Sequence, residues 1–186
     1  MGKEITSSLT GLYIEEIFWE KAKTYLTEES EKECYMAALD IEHFRLYNTI
    51  YGESRAELML TEIADLLKIY EREHGGIAGY LGGDNFAIAT AYDKEALREL
   101  RKEIRDLIRT QNHTTGYPPA FGIYPIADMT ESATAMYNHA TVALSYVIGN
   151  YTNRCKEYYP DMDDRIEEEI RLLTEIQEGI ENDEFT

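Results

Sequence analysis

Basic residues are scarce in this chain. Its 186 residues include 18 Lys and Arg against 36 Asp and Glu, a formal net charge of −18. A nucleic-acid partner needs a basic face to meet its phosphates, so no nucleic-acid partner is expected for a chain of this charge. Long apolar runs are also missing. The longest are far too short to span a bilayer, and no signal-peptide pattern opens the chain. No membrane contact by this chain is expected, and a cytoplasmic location is the simplest expectation. Cysteine is rare. Cys34 and Cys155 lie in apolar runs without metal-ligand spacing, which predicts buried, reduced thiols. There is no internal repeat, and no low-complexity linker precedes Pro160.

What is present suits a folded domain. The apolar fraction of 44% is ordinary for a globular core. The length fits one domain, residues 1–160, and an appendage, residues 161–186. Charge is unevenly divided between them. The appendage carries eleven acids against Arg165 and Arg171, a net −9, which is half the total. The body is only moderately acidic. A nucleotide triphosphate can bind there if a divalent cation or local cations offset the repulsion.

Periodicity predicts the order α-β-α-β-β-α-β-α-β. A first helix is expected from about Leu12, with Ile14, Ile17, Phe18, Ala22, Tyr25 and Leu26 at helical spacing. Residues 34–41 are short and apolar and end in Asp40, which predicts a buried strand. A second helix is expected over 54–73, with Leu58, Ile63, Leu66, Leu67 and Tyr70 inward. Further helices are expected over 94–109 and 132–147, and strands over 118–126 and 155–159. The natural solution is an α/β (α+β) domain: a mostly antiparallel five-stranded sheet flanked by helices. Beyond Pro160 an acidic amphipathic helix is expected over 161–182. Its stripe of Ile166, Ile170, Leu173 and Ile180, with Ile176 beside it, must pack on something.

Two apolar β-rich runs flank Gly82-Gly83-Asp84, a hairpin signal whose tip joins a carboxylate to bare backbone amides. Asp40 ends the strand upstream. If the two strands are neighbours, two carboxylates converge at one sheet edge, as Mg²⁺ sites with phosphate ligands require. An ordinary strand-end Asp and an ordinary turn Asp fit the same spacing.

Four elements in register resemble the GGDEF (diguanylate cyclase) family. They are Ser7-Ser8-Leu9-Thr10-Gly11-Leu12, then Asp40-Ile41-Glu42-His43-Phe44-Arg45 with Asn48-Thr49 and Gly52-Glu53, then Gly82-Gly83-Asp84-Asn85-Phe86, then Ala120-Phe121-Gly122-Ile123. The resemblance covers residues 9–159 and implies a nucleotidyl-cyclase-like fold. In this family two GTP molecules, one on each subunit of a dimer, condense to cyclic di-GMP, and metal ions neutralise the phosphates. By position, it implies that Asp40, the Ile41 carbonyl and Asp84 hold Mg²⁺. It implies that Asn48 and Glu57 meet the guanine, Glu57 being one methylene longer than the family's Asp. The backbone around Phe44 and Arg45, with Gly82 and Gly83, would take the phosphates. On the residues alone, Asn48 fits a helix cap and Glu57 a solvated helix position equally well.

Several positions depart from the family pattern. Asn85 replaces an acid at the fourth motif position, and a neutral amide neither charges a metal cluster nor acts as a base. Ile148 stands where the family places a phosphate-binding Lys. Ser7 replaces the leading Asp of the first motif, and Ile14-Glu15-Glu16 replace Asn-Arg-Arg. The family's product-inhibition motif is replaced at Glu73 and Gly76. The stretch from Tyr158 through the acidic helix to Phe185 resembles the connector to a following EAL (cyclic di-GMP phosphodiesterase) domain. Three expectations stay open: a catalytically degenerate GGDEF domain that binds GTP and regulates such a neighbour, an active cyclase, or a ligand-free structural or homodimerisation domain.

Overall fold

Alternation along one buried strand divides the molecule into two faces. The structure is a computed structural model that describes residues 5–112 and 116–181. In chain order the elements are β1 (Tyr13–Ile14), α1 (Glu15–Glu28), β2 (Cys34–Ile41), α2 (Phe44–Tyr51), α3 (Glu53–His74) and β3 (Ile77–Gly82). They continue with β4 (Asn85–Ala91), α4 (Lys94–Asn112), β5 (Pro119–Pro125), α5 (Ala133–Ser145), β6 (Cys155–Glu157) and α6 (Asp161–Glu181). The six strands form one sheet in the order β1-β3-β4-β2-β5-β6. β2 is central and pairs antiparallel with both β4 and β5. β1 and β6 add parallel edges, to β3 and β5.

Being covered on both sides, β2 reads as a continuous apolar run rather than an alternating one. Tyr35, Ala37, Leu39 and Ile41 pack toward α2, α3 and α4, with Met59, Ile63, Leu67, Leu97 and Ile104. Cys34, Met36 and Ala38 pack toward α1 and α5, with Phe18, Leu26 and Met136. The second face is rich in alanine, and its helices approach closely. At Gly122 of β5 an added Cβ would lie 1.9 Å from the Ala140 carbonyl oxygen of α5. Only glycine lets that helix lie so close to the sheet.

The sequence expectation differs from the fold in several places. The sheet has six strands, not five, because two residues of β1 pair with β3 at Tyr13↔Gly79 and Ile14↔Tyr80. A two-residue strand carries no periodic signal. The first helix therefore starts at Glu15. The helix expected over 54–73 is α3, and an additional helix that was not expected, α2, precedes it, the two being separated at Gly52, which holds φ +88°. Of the cysteines, Cys34 is buried, whereas Cys155 on the edge strand is only partly so; both are free. α6 is anchored by its first turns: Met162 is buried, and its carbonyl accepts the Tyr146 hydroxyl at 3.2 Å. Beyond them Ile170, Leu173 and Ile176 are 58%, 60% and 59% exposed, so the apolar stripe faces solvent. Ile180 and residues 182–186 of the connector stretch lie outside the described residues or side chains. Among the described residues no helix is long and apolar enough to cross a membrane.

Candidate functional site

The site is built where β2 ends beside the β3–β4 hairpin. Gly82 pairs with Asn85, leaving Gly83-Asp84 as a two-residue turn. Gly83 takes φ +60° at the first central position, the conformation that a type II′ turn demands and glycine supplies. The Tyr80 hydroxyl donates to the Gly83 carbonyl at 2.8 Å. Asp84 turns back toward β2, where its Oδ2 accepts the Ile41 amide at 3.2 Å. This bond ties the hairpin tip to the end of the central strand. The register pairs Leu39 with Phe86, so one step further Asp40 comes opposite Asn85.

Asp40 and Asp84 are thus brought together, both half-buried. Burial, then the charges of Asp84 and Glu42, push the Asp40 carboxyl up to about 6, against a smaller pull from Arg154. Burial also raises Asp84, opposed by the Ile41 and Asp84 amides. Two desolvated acids that repel each other fit a hard divalent cation, which favours both charged forms. Among the described residues no group of three or more His, Cys, Asp or Glu converges. A cation here must take its remaining oxygens from backbone, water and phosphate, which is how Mg²⁺ is normally held.

The other sequence-predicted residues surround this pair. Glu42 and His43 lead from β2 into α2, His43 with φ +65°. Phe44 is half-buried and stacks on Tyr47, with ring centroids 6.4 Å apart. Arg45 and Asn48 lie exposed on α2. Asn48 sits inside the helix rather than capping one. Glu57 is exposed on α3, and its charge and that of Asp84 both reach the Tyr80 hydroxyl, which burial already raises. Asn85 is half-buried, and its side-chain amide donates to the Gly82 carbonyl at 3.4 Å. Ile148 is exposed in the turn after α5. Ser7 accepts the Leu9 and Thr10 amides at 3.2 and 3.3 Å, so its hydroxyl closes the first-motif turn.

One arrangement had no sequence signal. Glu42 is buried, forms an ion pair with Arg154 at 2.7 Å, and accepts the Gly149 amide at 3.1 Å. Burial pushes its carboxyl up, but the Gly149 amide and the Arg154 guanidinium outweigh this and hold it below its ordinary value. Arg154 also donates to the Val147 carbonyl at 2.8 Å and the Pro118 carbonyl at 3.2 Å. His43 Nε2 meets the Tyr151 hydroxyl at 3.0 Å. Glu42 was readable as part of the second motif element. The distant arginine was not.

The architecture defines an α+β domain whose central hairpin presents an acid beside the end of its middle strand. Within that class the chain belongs to the GGDEF family: the family profile described as diguanylate cyclase, GGDEF domain, matches residues 5–149. Diguanylate cyclase DgcP of Escherichia coli (strain K12) is 27% identical over 152 residues, covering 77% of this chain and 44% of DgcP. The chain thus spans less than half of that curated relative. Among solved structures, the GGDEF domain of DgcB from Caulobacter crescentus, in complex with c-di-GMP, gives a TM-score of 0.69 at 20% identity. That match covers 84% of this chain and 97% of that one. The GGDEF domain of TpbB (YfiN) from Pseudomonas aeruginosa gives 0.70 at 18% identity, over 87% and 99%. The S helix-GGDEF-EAL chain of Vibrio cholerae LapD, bound to c-di-GMP, gives 0.67 at 17%, over 96% and 43%. At these identities the structural likenesses establish the fold.

Proposed function

We propose that this chain is a GTP-binding GGDEF domain of cyclic di-GMP signalling that does not synthesise the dinucleotide and instead regulates a neighbouring EAL phosphodiesterase domain. The observation that carries this reading is the contrast between adjacent residues of the hairpin. Asp84 is held against the Ile41 amide beside Asp40. Asn85 brings no charge and is turned back onto the Gly82 carbonyl.

Asp40, Asp84 and the Ile41 carbonyl would hold Mg²⁺, which when bound neutralises phosphate charge. A chain of net charge −18 needs that offset to accept a triphosphate. Gly82 and Gly83 leave the hairpin backbone bare, and the amides at Phe44 and Arg45 open α2. Both features suit phosphates. Asn48 and Glu57 would meet the purine. The groups that drive reaction are the ones replaced. Asn85 cannot take a proton near neutral pH, and Ile148 cannot offset charge developing on phosphorus. Losing one such stabilising group costs about 3 kcal/mol, a hundredfold or more in rate.

In this reading residues 1–160 are the regulatory domain and 161–186 the linker. The match to the LapD chain extends over 96% of this chain, against 84% and 87% for the two isolated GGDEF domains, which supports α6 as a connector. Bound GTP changes the neighbour only if it favours one arrangement of the pair. A second reading, an active diguanylate cyclase working as a homodimer, is favoured by the 27% identity to DgcP. Purified chain incubated with GTP and Mg²⁺ separates the two. The proposal expects a Mg²⁺-dependent rise in melting temperature without cyclic di-GMP, and accumulation of cyclic di-GMP rejects it.

A further inference from the structure

Cations gather on the far side of the Glu42–Arg154 pair. Arg98, Arg101, Lys102, Arg105 and Arg109 fall at helical spacing along one stripe of α4. Arg154 faces them from the segment before β6, across an open groove of about 630 Å³. Six of the chain's 18 Lys and Arg therefore line one groove, in a protein of net charge −18. The acid on the lining is Glu99. On α4, Arg98 pairs with Glu95, Lys102 with Glu99 at 3.6 Å and Arg105 with Asp106 at 3.2 Å. These are exposed pairs between neighbours on one helix, weak enough to be exchanged for a stronger anion. Arg101 is half-buried, and its Nε is shielded from solvent with no hydrogen-bond partner among the described residues.

The groove is not only charged. Buried Ile108, Tyr117 and Phe121 give it an apolar floor. The Tyr151 ring stands on the rim, 61% exposed, with the Arg154 guanidinium 5.9 Å from its centroid. Guanidinium forks suit phosphate oxygens, and an exposed ring beside them suits a stacked base. The volume lies within the range of small-molecule sites.

We propose that this groove is a second ligand site, separate from the hairpin, which takes a nucleotide carrying at least two phosphate charges and needs no metal. The cations replace the divalent ion that the acidic hairpin site requires. A nucleoside triphosphate and a cyclic dinucleotide share this chemistry, and the test distinguishes them. Arg154 also holds Glu42, so the test variants are placed on exposed positions of α4.

The full chain is titrated calorimetrically with ATP, cyclic di-GMP and inorganic tripolyphosphate, in chelator at low salt. Saturable binding of ATP or cyclic di-GMP is expected, and the tighter of the two identifies the source. Arg105→Glu with Arg109→Glu should weaken it about tenfold or more, and Arg105→Lys with Arg109→Lys should keep most of it. Asp84→Ala should leave it unchanged. Tyr151→Ala should weaken the nucleotide but not tripolyphosphate. The proposal is overturned if no probe saturates, if the Glu variant binds like the parent, or if tripolyphosphate matches the nucleotides. Because chelator removes the metal-dependent site, a failure of Mg²⁺-dependent GTP binding leaves this result readable on its own.

Discussion

Asp40 and Glu42 stand two residues apart, on either side of the last residue of β2, and the fold treats them in opposite ways. Glu42 is met by an arginine and a backbone amide and stays ionised. Asp40 is half-buried beside Asp84, with only a smaller pull from the Arg154 charge, and its carboxyl is pushed up to about 6. Nearly the same chemical group serves two ends. The neutralised acid closes the segment between β2 and α2 onto the loop before β6. The unneutralised acid is left with a charge problem that a cation solves. An acid that the fold leaves uncompensated is the better candidate for binding, since no structural role explains its discomfort.

The largest predicted effect breaks the compensated side. Arg154→Met leaves Glu42 buried without its cation and should cost about 3 kcal/mol of stability by chemical denaturation. Glu42→Leu combined with Arg154→Met should cost clearly less than Arg154→Met alone, because no lone charge is then buried. The uncompensated side should respond in the opposite sense. Asp40→Asn should raise stability near neutral pH by about 1–2 kcal/mol, after allowing for partial solvent screening. The same change should abolish any Mg²⁺-dependent binding.

Titration should resolve the pair by sign. The stability linked to Asp40 is full below its ordinary value of 3.8 and is lost as pH rises through about 6. The stability linked to Glu42 is full above its ordinary value of 4.5 and is lost only as pH falls through its lowered one. Asp84 and Glu71, both raised by burial, act in the same direction as Asp40. The melting temperature should therefore climb as pH drops from about 7.5 to about 5.5 and fall in stronger acid. In Asp40→Asn the climb should be visibly flatter. The smallest effect belongs to the neighbour that carries no charge. Asn85→Ala removes one long hydrogen bond to the Gly82 carbonyl and should change stability by less than about 0.5 kcal/mol.

Much of this arrangement was readable in the sequence. The short apolar run expected over 34–41 matched β2 from Cys34 to Ile41, because a strand covered on both faces reads as one nearly continuous apolar stretch. The Gly-Gly-Asp turn fixed the hairpin, since glycine is needed where φ is positive. Those two elements alone brought Asp40 and Asp84 to one edge. The parts that were not readable depend on distant partners or very short elements. β1 exists only because β3 offers an edge to pair with. α2 is rich in Tyr, Thr, Asn and Ile, which are indifferent helix formers, and it is set by the packing of Phe44 and Tyr47. The Glu42–Arg154 pair joins segments with no common motif. The α6 stripe was readable as amphipathic, yet the domain leaves it uncovered after its first turns.

The most direct test is thermal melting of the purified chain with GTP, with Mg²⁺ or with chelator, with product followed chromatographically in the same tubes. The account predicts a rise that requires Mg²⁺, disappears in Asp84→Ala, survives in Asn85→Ala, and is accompanied by no cyclic di-GMP. A rise independent of Mg²⁺ and of Asp84, or formation of cyclic di-GMP by the unaltered chain, would contradict it.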